Sequence, residues 1–324
     1  MISSWFEYVL MLLMCLGVFC FPETGFGQTE SWQQGHNVRH NCVLSQSIYS
    51  ESPGSPRSTL KLTHYVLVSI APYKFFVEKI AGNTLEVGLM IPPGSSPHSF
   101  EPTAKQVLAA GRADIWFRMG EGFETRALPA MKGNHPNMQI VDLREGIDLI
   151  IADKEHAHVC AHHDCIDPHI WLSPREAKTQ AKIIARTLIN TYPEHKEQYT
   201  QSLEIFLKEL DELDHYIENL LDSLQFRTIM VSHPAFAYFC RDYRMEQLSI
   251  EFEGKEPSPR QLTQVLQLAR KAHIKKVFIL EQLIGKGARL VANNLGAQIV
   301  EIDILSENYL ENMRAIARNF ANTL

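Results

Sequence analysis

The chain lacks an excess of positive charge, a long apolar run, a zinc-protease helix signature and, for 324 residues, many cysteines. Lys and Arg number 31 against 37 Asp and Glu, giving a net charge of -6, which excludes nucleic acid or an anionic membrane surface as the main partner. The apolar stretch from Val9 to Phe21 falls short of the roughly 20 residues that a membrane-spanning helix needs. It reads instead as the core of a signal peptide over 1–28, with Gly25 and Gly27 near the cleavage point. The basic residue that usually precedes such a core is missing and Glu7 stands there, so an uncleaved hydrophobic anchor is the alternative. Of the 6 cysteines, Cys15 and Cys20 fall inside that segment and Cys42, Cys160, Cys165 and Cys240 remain. In an oxidising compartment Cys160 and Cys165 can pair, although sequence alone does not fix connectivity, and Cys240, in an apolar stretch, reads as a buried thiol.

Residues 29–60 are rich in Ser, Pro, Gly, Asn and Gln with little apolar periodicity, which predicts a disordered lead-in. After them, short β-branched runs alternate with helical stretches, the pattern of βαβ units and parallel sheets. Strands are expected at Tyr65 to Ile70, Leu85 to Ile91, Ile115 to Arg118 and Gln139 to Asp142, with helices at Pro72 to Ala81 and Thr103 to Gly111. A second set follows: strands Thr228 to Ser232, Lys276 to Leu280 and Gln298 to Ile304, and a helix Pro259 to Ala272 capped by Ser258. Between the sets, apolar residues from Leu203 to Leu221 recur at helical spacing without a breaker, so Pro193 to Leu224 reads as one long helix. The expectation is an α/β protein of two parallel-sheet lobes, 61–192 and 225–324, joined by a backbone helix at 193–224. A helix that long joins the lobes stiffly, so lobe motion should be small.

Three of the 14 histidines stand apart by position. His98 follows the strand Leu85 to Ile91 through Pro92-Pro93-Gly94-Ser95-Ser96-Pro97, and His233 follows Thr228 to Ser232 directly, with Pro234 blocking the strand. Ligands of open α/β sheets bind beyond the carboxyl ends of the strands, and both histidines sit there, one per lobe. His169 lies between Pro168 and Ser173, where Ser173, Pro174 and Glu176 form a helix cap, a first-turn proline and a capping-box glutamate. One such histidine alone is more often structural. Three imidazoles on constrained backbones suit a cation of borderline softness, above all Zn2+.

Glu281, at the end of the strand Lys276 to Leu280, is a candidate fourth ligand, with water as the alternative; Asp303 and Glu101 are weaker, and Glu101 reads better as a cap on the helix from Thr103. His156, His158, His162, His163 and Asp164 precede the second ligand as a tract unable to build a core. It is read as an accessory metal loop, a collector or sensor of zinc, or else as a solvated segment with incidental affinity.

These motifs resemble the zinc-type substrate-binding proteins of ABC transporters, with the TroA-like fold. Ile91-Pro92-Pro93-Gly94-Ser95-Ser96-Pro97-His98-Ser99-Phe100-Glu101-Pro102 is similar to the family's first-ligand motif, Asp167-Pro168-His169-Ile170-Trp171-Leu172-Ser173-Pro174 to the second, and Ser232-His233-Pro234-Ala235-Phe236 with Tyr238-Phe239 to the third. Glu253-Gly254-Lys255-Glu256-Pro257-Ser258-Pro259 resembles the stretch that opens a later helix of the second lobe. The match runs in order from Tyr65 to the C-terminus. It implies two α/β lobes on one backbone helix, an ion in the cleft between them, an ABC permease and its ATPase as partners, an extracytoplasmic location, and a monomer that is not an enzyme. Manganese and iron members resemble this site but add an aspartate a few residues after the Glu281 position; here the stretch reads Leu283-Ile284-Gly285-Lys286, which favours zinc. The long Ser/Pro-rich lead-in and the weak signal peptide depart from the family pattern and bear on location.

Two other classes stay open on sequence. Three histidines plus water is also a hydrolytic arrangement, but there is no His-Glu-x-x-His helix and no general base with its own motif. An adhesin on the same fold is the other. Neutral imidazole ligands also imply that metal binding weakens as pH falls through their protonation range, near an unperturbed value of about 6.5.

Overall fold

The computed structural model describes residues 64–151, 166–251, 257–281 and 286–322. Its first half is built from β1 (Tyr65–Val68), α1 (Ala71–Ala81), β2 (Glu86–Leu89), α2 (Ala104–Ala110), β3 (Ile115–Arg118), α3 (Gly122–Asn134) and β4 (Gln139–Asp142). Two long helices follow, α4 (Pro174–Thr191) and α5 (Lys196–Asp222). The second half holds β5 (Thr228–Val231), α6 (Ala237–Asp242), β6 (Glu246–Ser249), α7 (Pro259–Lys271), β7 (Lys276–Leu280), α8 (Lys286–Leu295), β8 (Gln298–Ile302) and α9 (Tyr309–Ala321).

Each half forms a four-stranded parallel sheet, ordered β2-β1-β3-β4 in the first and β6-β5-β7-β8 in the second. The central strands explain the choice of parallel pairing. Tyr-Val-Leu-Val in β1 and Thr-Ile-Met-Val in β5 are buried from their second residue onward, as strands covered by helices on both faces must be. In this order the direction of winding reverses between the first and third strands of each lobe, and the crevice at their carboxyl ends is where ligands bind.

Helix α5 is 27 residues long and packs between the halves, against α1 and α4 on one side and α9 on the other. Its buried stripe Phe206, Leu210, Leu213, Ile217 and Leu221 belongs to one apolar core that runs from Val66 in β1 to Phe320 in α9. Phe206 stacks edge-on against Phe75 and lies 5.3 Å from Phe76, ring centre to ring centre. A second core, with Met230, Val277, Ile279 and Val291, fills the far face of the second sheet.

The helix expected over Pro193 to Leu224 is interrupted at its start: Pro193–His195 forms a 3-10 turn, and α5 begins at Lys196. Ahead of it, α4 continues for 18 residues and lies antiparallel along α5 through Lys178 to Asp211 and Arg175 to Asp214 and Glu218, so the joining piece is a helical hairpin. Five elements fall outside the expected set, β6 and helices α3, α6, α8 and α9, two of them for clear reasons. Helix α3 starts at Gly122 and carries Pro129 inside it, and β6 reads Glu-Gln-Leu-Ser without a β-branched residue. Among the described residues no helix is long and apolar enough to cross a membrane. Cys240 is buried and free, its thiol pushed up by burial; Cys42, Cys160 and Cys165 lie outside the described residues.

Candidate metal centre

His98 is delivered by a loop that cannot relax into strand or helix. The β2 ladder extends past Leu89 through Met90 N–H to Val68 O and Ile91 N–H to Ser69 O, and Pro92-Pro93 then ends it for want of donors. Gly94 takes φ +80, and a 3-10 turn at Pro97–Ser99 presents His98 with its side chain 32% exposed. Behind the ring, Nδ1 lies 2.9 Å from Oε1 of Glu121, in the loop that leaves β3. That loop is tied down by the buried Glu124 carboxylate, which accepts the backbone N–H groups of Met119, Gly120 and Glu121 at 3.0, 2.7 and 3.0 Å and the hydroxyl of Ser69. Burial pushes Glu124 up to about 7 in spite of those bonds. Gly120, at φ +101, is required there: a Cβ would be strained by the left-handed backbone and would meet the Arg144 guanidinium at 2.3 Å.

His169 is the most enclosed of the three histidines, its side chain only 4% exposed. It precedes the 3-10 turn Ile170–Leu172, and Oδ1 of Asp167 accepts both its backbone N–H, at 2.9 Å, and Nδ1, at 2.8 Å. Ser173 then caps α4 by accepting from Arg175 and Glu176 N–H, with Pro174 in the first turn. Glu176 does not close the expected capping box and pairs with Arg241 instead. His233 follows Ser232, whose hydroxyl accepts Leu280 N–H at 3.2 Å and so locks the end of β5 against β7. Its Nδ1 lies 2.9 Å from Oε2 of Glu251, which comes off the end of β6 and donates its own N–H to Ser232 O.

The three rings converge. One ligand atom from each lies within 4.8 Å of the others, Nε2 of His98 is 3.2 Å from Nε2 of His169, and ring centres are 4.7 to 5.3 Å apart. A carboxylate oxygen lies 2.8 to 2.9 Å from every Nδ1, which favours the tautomer protonated there and leaves the Nε2 lone pair for a metal, the arrangement that orients histidines toward an ion. Three nitrogen donors with an open fourth position fit a tetrahedral ion of borderline softness. Burial pulls His98 down, but Glu121 in contact, with Asp167 and Glu251 nearby, outweighs it and the net shift is upward. For His233, burial and the neighbouring His169 and His98 outweigh Glu251, and the shift is downward. Glu121 is lowered: burial opposes its charge, and the His98 and His169 rings overcome it.

Glu281 does not join this group of ligand atoms; it lines a cavity of ≈ 380 Å³ with Asp303, Glu307, Ile70, Ile91 and Pro92. Asp303 accepts Leu305 N–H at 2.8 Å. Glu101 pairs with Arg126 rather than capping α2, which is closed by a Thr103 and Gln106 capping box. His156, His158, His162, His163 and Asp164 lie outside the described residues, as do 252–256 and 282–285. Sequence reasoning passed over Glu121, Asp167 and Glu251. The signal for them was present, since each lies at a strand end or, for Asp167, two residues from its histidine.

The family model for the zinc-uptake complex component A, periplasmic, matches residues 66–323. A putative metal-binding protein of Chlamydia muridarum is 34% identical over 258 residues, covering 79% of this chain and 90% of its own length. A crystal structure of ZnuA superposes with TM-score 0.74 at 35% identity, covering 80% of this chain and 98% of that one. A zinc-bound deletion mutant of ZnuA gives TM-score 0.74 at 34% identity, with 80% and 97% covered. With two parallel-sheet lobes, a long helix between them and three histidines converging at the strand ends, the chain belongs to the family of the periplasmic zinc-uptake component A.

Proposed function

We propose that this protein is the extracytoplasmic receptor of an ABC importer and that its cargo is Zn2+, held by His98, His169 and His233. The observation that carries the reading is the repeated pairing of each histidine Nδ1 with a carboxylate, Glu121, Asp167 and Glu251, which leaves three Nε2 donors facing one point. Nitrogen donors favour zinc over manganese, which prefers hard oxygen. The fourth position falls to Glu281 or to water. His156, His158, His162, His163 and Asp164 serve as low-affinity accessory ligands, and residues 1–28 direct export. The protein acts as a monomer and hands the ion to a permease driven by its ATPase.

Competitive titration of the purified protein with zinc, manganese and iron, read by direct metal analysis, tests the cargo. One equivalent of zinc retained against the other two is expected; a preference for manganese would overturn the reading. Glu281→Gln separates the alternatives for the fourth position, since it weakens zinc only if the carboxylate is a ligand.

A further inference from the structure

By chain order His169 precedes the α4–α5 hairpin and so would be counted with the N-terminal lobe. Its hydrogen bonds go elsewhere. Tyr238, fully buried on α6, accepts Ile150 N–H at 3.1 Å and donates its hydroxyl to Asp167 O at 2.9 Å. Arg241, one turn further along α6, donates to Asp148 O at 2.9 Å and pairs with Glu176. Asp242 closes the row, its carboxylate accepting from Ser173 and its carbonyl from Arg175 at 2.9 Å. Beyond α6, Trp171 Nε1 donates to Ile304 O at 2.8 Å and the Tyr309 hydroxyl donates to Trp171 O at 2.7 Å, both buried.

Among the described residues, every bond above ties segment 148–151 and 166–176 to the C-terminal half. Toward the first sheet and its helices, the same segment offers apolar packing of Trp171 and Leu172 in the shared core, with the Tyr73–Trp171 ring contact at 6.3 Å, and the Nε2–Nε2 approach of His169 to His98 at 3.2 Å. The buried bond from Gln180 Nε2 to the Tyr73 hydroxyl, at 2.8 Å, comes one turn further along α4. Apolar contact tolerates sliding, whereas a buried hydrogen bond does not break without leaving a polar group unsatisfied.

We infer that His169 and His233 form a preassembled two-histidine half-site carried by the C-terminal lobe, positioned by Tyr238, and that His98 is the one ligand the N-terminal lobe supplies. Tyr238 suits this role because it sits five positions after His233 and bonds directly to the residue whose carboxylate orients His169. It joins the third-ligand segment to the second-ligand segment without touching the ion. The half-site is complete before the metal arrives, and His98, the most exposed of the three, is added to it or withdrawn.

The inference rests on the zinc-receptor reading above, and a double-mutant cycle separates the two. Zinc affinity is measured by chelator competition for the full chain, His98→Ala, His233→Ala, Tyr238→Phe and the His98→Ala/Tyr238→Phe double variant, with Co2+ spectra as a second readout. His98→Ala should still take up one zinc, about 100-fold more weakly, and should keep d–d bands from Co2+, while His233→Ala loses more. Tyr238→Phe should weaken zinc about tenfold in both the parent and the His98→Ala background, beside the loss of metal-free stability that the unpaired Asp167 carbonyl and Ile150 N–H cause. The inference is overturned if His98→Ala binds no better than His233→Ala, if Tyr238→Phe lowers metal-free stability but not affinity, or if its effect disappears once His98 is gone. A parent protein that takes up no zinc overturns the receptor reading itself. Should Tyr238→Phe fail to fold, Arg241→Gln, altered at a partly exposed position on the same helix, is carried through the same cycle with the same outcomes expected.

Discussion

The two lobes repeat one plan and use it in opposite ways. Both sheets have the same strand order, and in both the first strand, β1 or β5, ends in a valine followed by a serine, Ser69 or Ser232. The residue after that serine is the buried Ile70 in one lobe and His233 in the other. Ser69 bonds inward, to Glu124 and to Trp116 Nε1, and the chain turns at once into α1. Ser232 bonds across to β7, Pro234 holds off a helix, and the histidine faces the cleft. The N-terminal lobe brings its histidine from edge strand β2 on a long proline-rich loop, with the supporting carboxylate at the switch point. The C-terminal lobe places its histidine at the switch point, with the carboxylate just past the end of edge strand β6. A short tether gives precision and a long one gives reach, so the same topology yields one closely held and one more loosely held histidine.

The sharpest way to break that contrast is to delete the ligands. Zinc binding to a site of this kind is worth about 10–16 kcal/mol, so one imidazole carries roughly 3–4 kcal/mol. His233→Ala should therefore lose some 100- to 1000-fold in zinc affinity by competition titration, and an effect within tenfold of the parent would sink its role as ligand. Next in size are the supporting carboxylates. Glu251→Gln and Glu121→Gln should each lower affinity by about 10- to 100-fold, the former more, because His233 is 12% exposed and has less freedom to re-aim than His98. Equal losses would mean that tether length does not matter.

The pH response separates the lobes further. His98 is shifted upward, so it holds its proton to a higher pH than an ordinary histidine, and zinc must displace that proton. Affinity measured from pH 8 down to 5.5 should fall first through His98, and in His98→Ala the decline should begin at lower pH, because His233 is shifted downward. For the metal-free protein the sign is opposite. The charge on His98 stabilises the fold fully below its unfolded value of about 6.5, and that contribution fades as pH rises through the raised folded value. Superimposable affinity profiles for parent and variant would rule out His98 as the first group to titrate.

The smallest effect on binding should come from Glu124→Gln. An amide in this pocket sets its own N–H against backbone N–H donors that Glu124 now accepts, costing about 2 kcal/mol in unfolding experiments and shifting zinc affinity only a few-fold. A loss of binding without loss of stability would place Glu124 closer to the ion than the structure does.

Much of this was legible in the sequence, and the reasons are specific. The strands that become β2 and β5 could be read as Leu85 to Ile91 and Thr228 to Ser232, so their ends, and with them the positions of His98 and His233, were legible directly. His169 was marked by the cap at Ser173. Glu121 and Glu251 could be placed near strand ends, but which ring each backs was not legible, because that pairing is set by strand order: Glu251 meets His233 only because β6 lies beside β5, and Glu121 meets His98 only because β2 and β3 flank β1 with their carboxyl ends on the same side. Nor could the sequence show that Asp167, whose carboxylate orients His169, is bonded to a helix 71 residues later, which depends on one buried hydroxyl.

Helix α5 has a mechanical meaning as well. Its 27 residues span about 40 Å, and its buried stripe is embedded in a core shared by both lobes. A rod gripped along its length by α1 and α4 on one flank and α9 on the other acts as an axle rather than a hinge. Opening the cleft wide would tear Phe206 and its neighbours out of that core, whereas tilting one lobe slightly about the rod leaves the grip intact. Capture and release of the ion then become a matter of a small rotation that moves the loop carrying His98, with the rest of the receptor serving as its mount.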